Sequence, residues 1–426
     1  MDPRSAAFAA WVVACCVALP AAAADRLSID EVFARVGELH PELQLFENRG
    51  EVLAAERERA ALRPPLVAGA MLENVAGSGE ASGADSAELT LSLASVLERG
   101  GKAEARGDVV ARRIDALGAE REARRLDLLA EAARRYLSLA SAQRIGALAA
   151  AERTQRERTA DAARARYRAG GTPESAVLAA EAAAARAAMD ERLAQARFEA
   201  ARLQLAALWG ERDPDFAIDA PALLALPALP GRTELAQLLE ATPDITRFAD
   251  EARVREAQLA LARSDAAFDL SWELGVRRLE AGDDVALVAG VSVPLGARAR
   301  AGPAVRAARA ELDALDTERD ATVRILYATL AEAHGRYSVA NAEVQALGTD
   351  IIPRLARAGE AAEKAYRAGA ATYAEWAQLQ AEHAAALRQQ HELALGAWFS
   401  LIEIQRLTGR AFIAAPARGE HGDIDP

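Results

Sequence analysis

Two stretches of this 426-residue chain share one short motif, ARYRAG at residues 165–170 and KAYRAG at residues 364–369. Their tyrosines lie 199 positions apart (366 − 167). Three more pairs recur at nearly the same offset: Leu208-Trp209-Gly210 with Leu407-Thr408-Gly409, Tyr136 with Tyr337, and His40-Pro41-Glu42 with Thr242-Pro243-Asp244. A fixed internal period is the signature of a repeated architecture, so we predict two copies of one unit of about 200 residues.

Each copy contains a long helical pattern that ends at the shared motif. The patterns cover about residues 102–168 and 298–367, and their apolar residues recur at steps of three and four, as in Val323, Leu326, Leu330, Ala333 and Tyr337. This spacing is typical of a coiled-coil seam. Gly170 or Gly369 follows each pattern, and a second helix returns from there. Each copy is therefore predicted to form a long helical hairpin, and Pro353 should kink or break the second one.

A leading helix and a pair of strands precede each long pattern. The leading helices are predicted at about 29–62 and 234–263, and the strands at 66–74 and 86–94 in the first copy and 268–277 and 285–293 in the second. Apolar residues alternate with polar ones in most of these strands; the apolar set includes Leu89, Leu91, Leu93, Leu270, Trp272, Leu274, Leu287 and Val291. Strands with this period and length can cross a bilayer in a β-barrel, so we predict that this set belongs to membrane strands.

The helix lengths are consistent with a cylindrical wall. A helix over residues 102–168 is about 100 Å long at 1.5 Å per residue. Each returning helix has about half that length, and the leading helices supply the other half. We therefore expect each copy to contribute one continuous and one broken rod to the same wall.

The first 24 residues have the pattern of a secretory signal, with Arg4, an apolar stretch and the small residues Ala21 to Ala24. Cys15 and Cys16, the only cysteines of the chain, lie in this segment. Cleavage after Ala24 would leave a mature chain without disulfides or thiolate ligands. A second interpretation makes Cys15 the acylated residue of a lipoprotein signal, and a third keeps the segment as an uncleaved anchor.

Composition and motifs argue against several other functions. The formal net charge is -12 with interleaved signs, and no basic patch for a nucleic acid stands out. The five histidines lack the spacing of a metal site. No nucleophile elbow, phosphate loop or pair of catalytic carboxylates is evident. We therefore expect no enzymatic activity and no cofactor.

The tandem copies, the strand pairs and the hairpins ending in Tyr-x-x-Gly resemble the TolC family of outer-membrane efflux proteins, most closely its CzcC-like branch, which is associated with cation efflux. The resemblance covers about residues 27–413. It implies a mostly helical fold with a small β part, in which tandem hairpins form a trimeric α-barrel and four strands per chain join a 12-stranded transmembrane β-barrel. The implied domains are a signal peptide (1–24), a first repeat (25–212) with its tip at 166–174, an equatorial linker (213–231), a second repeat (232–413) with its tip at 365–373, and a flexible tail (414–426).

The resemblance also implies a function. The chain would be a passive, gated exit channel in the outer membrane, extending into the periplasm and exporting metal cations or small toxic compounds. Its partners would be two further copies of itself, outer-membrane lipid, a periplasmic adaptor (membrane-fusion) protein and an inner-membrane pump of the resistance-nodulation-division type. The tip residues implied in adaptor docking are Arg166, Tyr167, Gly170, Tyr366, Gly369 and Glu375. In the first copy, Ala176 stands where an acidic residue would correspond to Glu375.

Three alternatives stay open at this point. The channel could serve a type I protein-secretion system in place of a pump. From a different class, the chain could be a periplasmic adaptor, which would have a single hairpin, or a structural periplasmic coiled coil, which would have no strands in a bilayer.

Overall fold

We describe residues 26–79 and 82–412 in a computed structural model of the chain. The predicted signal peptide with Cys15, and the predicted tail 414–426, lie outside these residues. None of the helices in the described ranges is both long enough and apolar enough to cross a membrane.

The first copy begins with two helices, α1 (Ile29–Leu39) and α2 (Pro41–Ala61), where a single leading helix was predicted. The division falls at His40, because Pro41 lacks the N–H that a continuous helix needs and is best placed in a first turn. Strands β2 (Val67–Glu73) and β3 (Glu88–Leu97) follow, and then α3 (Lys102–Arg168) and α4 (Glu174–Ala206).

The second copy repeats this order. Its elements are α5 (Arg232–Leu238), α6 (Pro243–Ser264), β5 (Leu270–Leu279), β6 (Asp284–Ser292), α7 (Ala297–Ala346), α8 (Ile352–Ala368) and α9 (Tyr373–Thr408). The predicted long helix is interrupted, as expected near Pro353. The interruption itself is a π-helical turn, Leu347–Ile351, and the proline lies just after it in the first turn of α8.

The helices form a wall in which α3 is central. It packs against α2 and α4 on one side and against α6 and α9 on the other, and α7 packs on α6 and α9. The helix α8 packs along α9. The outer rods of the chain are therefore α2 with α4 at one edge and α7 with α8 at the other.

The main hydrophobic core lies around the equatorial linker. Short strands β1 (Arg26–Leu27) and β4 (Ala217–Ile218) pair in parallel there. The repeated tyrosines, Tyr136 and Tyr337, are both 2% exposed and both donate to linker carbonyls, those of Asp219 and Pro227. Trp398 Nε1 donates to the carbonyl of Leu223 at 2.8 Å. The duplicated positions thus clamp the linker between the two hairpins.

The four longer strands form one antiparallel sheet in the order β2-β3-β5-β6. In its register, Leu91 lies opposite Val276, and Val276 lies opposite Leu287. Side chains at paired positions share a face, so the alternating apolar residues of the strands lie together on one side of the sheet.

Candidate functional site

Two glycines make the tight turns at the ends of the hairpins. Gly170 has φ 73° and Gly369 has φ 84°, in the left-handed region where a residue with a Cβ is disfavoured. Each turn is closed by a backbone hydrogen bond, from Gly171 N to Arg166 O at 2.9 Å and from Ala370 N to Ala365 O at 2.8 Å. The predicted tips are therefore compact loops.

The second tip is built on a cluster of three aromatic side chains. Tyr366 is 2% exposed and stacks on Trp376, with ring centroids 5.1 Å apart and an interplanar angle of 28°. Tyr373 meets its edge at 6.5 Å. These contacts join the end of α8 to the first turn of α9. The Tyr366 hydroxyl has no hydrogen-bond partner among residues 26–79 and 82–412.

Arg166 connects the first tip to the second. Its guanidinium carbon lies 4.8 Å from the centroid of the Tyr366 ring, which is cation–π geometry. Its Nη2 also donates to Gly171 O at 3.2 Å, within its own turn. The two predicted tip residues are thus brought together, and the contact joins the two hairpins of one chain.

The repeated tyrosines of the tip motif have different surroundings. Tyr167 is 47% exposed, whereas its counterpart Tyr366 is buried under Arg166 and Trp376. Of these two tyrosines, only Tyr167 presents its ring to solvent. The structure therefore separates two residues that the sequence motif treats as equivalent.

Glu375 forms a helix cap in the structure. Its carboxylate accepts from the backbone N of Thr372 at 2.8 Å, and its own N–H donates to the Thr372 hydroxyl at 3.3 Å, which is a capping box. The backbone hydrogen bond from Thr372 lowers the pKa of Glu375. The side chain remains exposed. The first hairpin has Ala176 at this position and shows no such cap.

A buried polar cluster between α3 and α9 was not predicted from the sequence. Arg156 on α3 is 7% exposed, and its Nη1 lies 3.2 Å from the Oε1 of Gln380 on α9. Thr159 lies within hydrogen-bonding distance of the same glutamine. These residues are more than 200 positions apart in the chain, so only the tertiary structure brings them together. They tie the first hairpin to the second one turn or more above the tips.

The residues predicted to belong to membrane strands lie on one face of the sheet. Leu91 is 57% exposed, Leu274 58%, Leu287 89% and Val291 69%. Leu89 and Leu93 share this exposure, while Leu270 and Trp272 are half-buried. A continuous apolar surface of this kind on a β-sheet is unusual next to water.

The opposite face of the sheet is polar. Arg277 forms ion pairs with Glu88 at 2.8 Å and with Glu73 at 3.2 Å, and its Nε donates to Thr90 at 2.9 Å. The sheet is therefore two-sided, apolar on one face and charged on the other, as in strands that separate lipid from an aqueous lumen. In the described part of the chain, no group of three or more His, Cys, Asp or Glu side chains is placed to hold a metal ion.

Comparison with known proteins agrees with this geometry. Residues 53–211 match the family model described as outer membrane efflux protein. The chain is 30% identical over 278 residues to the cobalt-zinc-cadmium resistance protein CzcC of Cupriavidus metallidurans, an alignment that covers 65% of this chain and 66% of that protein. The matched region thus spans just under two thirds of that relative.

Solved structures share the fold at low sequence identity. CusC superposes with a TM-score of 0.75 at 14% identity, covering 91% of this chain and 93% of CusC. The outer-membrane channel OprN gives 0.72 at 20% identity, with 90% of each chain covered. The outer membrane protein VceC of Vibrio cholerae gives 0.70 at 20% identity, covering 90% of this chain and 97% of VceC. The mostly helical fold class with a small sheet is confirmed, and residues 53–211 form a domain of the outer membrane efflux protein family.

Proposed function

We propose that the chain is the outer-membrane exit channel of a tripartite efflux pump. The observation that carries this proposal is the exposed apolar face of the four-stranded sheet, with Leu287 89% exposed and Leu274 58% exposed. A face of this kind is stable when lipid covers it. The polar face, with Arg277 between Glu73 and Glu88, then lines an aqueous lumen.

The sheet edges support assembly from three copies. In the described chain, β2 and β6 are the outer strands and each has one edge without a strand partner. Unpaired edges are not tolerated in lipid, because backbone groups there need internal hydrogen bonds. When β6 of one copy pairs with β2 of the next, three copies close a 12-stranded barrel and no edge remains.

The outer rods of the helical wall support the same assembly. On α4, Leu178 is 58% exposed and Leu193 is 47% exposed; on α7, Ile325 is 64% exposed and Val339 is 60% exposed. These side chains lie at opposite edges of the wall of one chain. In the proposed trimer, α7 of one copy packs against α4 of its neighbour and both rows are covered.

The tips form the periplasmic end of this channel and meet the adaptor protein. Tyr167, exposed beside the Gly170 turn, is the aromatic ring of the tip that is available to a partner helix. The inner-membrane pump of the resistance-nodulation-division type supplies the energy. The channel opens by an outward movement of the hairpins. Before opening, the contact of Arg166 with Tyr366 holds the two tips of each chain together.

Divalent metal cations are the proposed substrates, with small toxic compounds as the second candidate. The relative CzcC is a cobalt-zinc-cadmium resistance protein, and this supports the choice. A strain lacking the gene should become sensitive to cobalt, zinc or cadmium, and the wild-type gene should restore growth. Unchanged tolerance to these metals together with loss of a secreted protein would favour a type I secretion channel. Unchanged tolerance to metals and drugs, with no secretion defect, would reject the proposal.

A crosslinking experiment tests the gating. Cysteines at Ala169 and Ala368, which are exposed in equivalent positions of the two tips, allow neighbouring tips to be joined. Oxidation should block export and leave the trimer intact on a native gel, and a reducing agent should restore export. Export that continues while the crosslink is complete would contradict the proposed movement.

A further inference from the structure

The two long rods of the chain differ in continuity. The helix α3 runs for 67 residues without interruption, whereas its counterpart is divided into α7 and α8 by the π-helical turn at Leu347–Ile351. A single π turn inserts one extra residue into an α-helix, and such turns are frequent at functional sites. The wall thus contains one rigid rod and one divided rod per chain.

The π turn is held by one side chain from α9. Gln390 is 7% exposed, and its Nε2 donates to the carbonyl oxygen of Val344 at 3.1 Å. Val344 lies one turn before the π segment. The hydrogen bond from the buried Gln390 amide holds the end of α7 that leads into the π turn. The other end of the turn continues into α8.

Gly348 makes room for that contact. A Cβ added at Gly348 would lie 2.6 Å from Gln390 Nε2, so the glutamine amide would have to shift from its present position. The long rod of the first copy also has a glycine in this region, Gly146 on α3. In the described chain, nothing lies within 4 Å of a Cβ added at Gly146. The close approach of a glutamine amide is therefore found at Gly348 of the divided rod and not at Gly146.

The segment below the π turn has space beside it. A cavity of about 400 Å³ lies between α8, α9 and α3 and is lined on the α8 side by Leu355, Gly359 and Glu363. The lower end of α8 is held through Tyr366, which contacts Arg166 and Trp376. The helix is thus fixed at its top and bottom and is loosely packed between them.

We infer that the π turn, clamped by Gln390 and Gly348, is the pivot on which α8 swings when the tips separate. This inference rests on the proposed channel function and names the element that moves. The 17 residues of α8 extend about 25 Å from the pivot at 1.5 Å per residue, so a tilt of about 10° moves the second tip by about 4 Å. Within the divided rod, the segment α7 stays in place while α8 swings, and the contact between Arg166 and Tyr366 breaks.

Distance measurements between spin labels at Ala169 and Ala368 test the pivot. The full-length chain is purified in detergent, and labelled copies are diluted in unlabelled ones so that one copy per trimer carries the pair. Arg166→Ala, which releases the lower contact, should add a population about 4 Å longer than that of the parent. Deleting Thr349 in the Arg166→Ala chain restores an α-helical turn and should remove that population.

Two substitutions keep the test decisive if the deletion fails to fold. Gln390→Ala and Gly348→Ala both remove the clamp and should broaden the distance distribution to the same extent, and the double variant should be no broader than either. Gly146→Ala is the matched control and should leave the distribution unchanged.

Three results would overturn the inference. Arg166→Ala could fail to produce a population at longer distance, the Thr349 deletion could leave that population in place, or Gly146→Ala could broaden the distribution as Gly348→Ala does. The distance measurements require neither pump nor substrate, so they test the pivot separately from the channel function. If the chain exports substrate but α8 does not move, the pivot is wrong and the channel function stands. If α8 moves but the chain does not export, the channel function is wrong and the pivot stands.

Discussion

Replacing Tyr136 by phenylalanine tests the clamp on the equatorial linker. The Tyr136 hydroxyl lies 2.6 Å from the carbonyl oxygen of Asp219 and 3.1 Å from that of Leu27, in a side chain that is 2% exposed. Burial, with a smaller effect from the Asp219 carboxylate, raises the pKa of Tyr136, so the hydroxyl keeps its proton and remains a donor. The substitution removes the donor and keeps the ring, so it leaves no large cavity.

The expected loss follows from what each carbonyl retains. The Leu27 oxygen still accepts from the Asp219 N–H at 3.2 Å, whereas the Asp219 oxygen loses its donor. Asp219 itself is exposed, and water can replace part of the lost bond. We therefore expect a cost of about 1–1.5 kcal/mol, the net value of one hydrogen bond. With tenfold per 1.4 kcal/mol, local opening at the linker should become about 5- to 12-fold more frequent.

Hydrogen exchange measured by mass spectrometry reads this opening directly. The amide of Asp219, which bonds to the Leu27 carbonyl, should exchange faster in Tyr136→Phe by about the factor given above. The matched control is Tyr327→Phe, since the Tyr327 ring is 44% exposed on α7. Unchanged exchange in Tyr136→Phe, or an equal change in the control, would refute the clamp.

Three further substitutions have expected outcomes. Gly170→Ala places a Cβ at φ 73° and should cost about 1–2 kcal/mol, seen as a lower melting temperature, while Gly171→Ala, where the added Cβ meets ordinary contacts, should melt like the parent. Burial lowers the pKa of His391 in the folded chain. As the pH falls below about 6.5, the unfolded chain therefore binds a proton at this histidine that the folded chain does not bind, and the folded state loses stability. The melting temperature should fall in this pH range, and it should fall less in His391→Asn. Leu287→Arg on the apolar face should cost about 2–4 kcal/mol near the middle of a bilayer and reduce the folded yield in outer-membrane fractions, whereas Val288→Arg on the polar face should not; equal yields of the two would contradict the assignment of faces.

The helical hairpins were predictable because their signals are local. The heptad-like spacing and the glycine turn placed α3 at residues 102–168, which is where it lies. The break between α1 and α2 at Pro41 was also present in the sequence and was missed, because apolar periodicity alone continues through it. The π turn could not be predicted in the same way, since it depends on Gln390, which is 42 positions from Gly348 (390 − 348).

Comparing the two copies by their shared motif did not predict the difference between the two tips. The motif predicted equivalent roles for Tyr167 and Tyr366, but at the offset of 199 Arg166 corresponds to Ala365, and Trp376 corresponds to Val177. The first copy has the arginine, Arg166, and the second copy has the tryptophan, Trp376. Both side chains cover Tyr366. Aligning the copies beyond the shared motif would have indicated this asymmetry. The docking roles of these residues and the domain boundaries remain predictions.

Single-channel recording of the purified full-length chain in a planar bilayer shows whether the assembled protein forms a conducting pore. We expect discrete conductance steps from protein that runs as a trimer, and larger or more frequent openings when Arg166→Ala releases the contact between the tips. A folded trimer that inserts into the bilayer and carries no current, in the parent and in Arg166→Ala, would contradict the account.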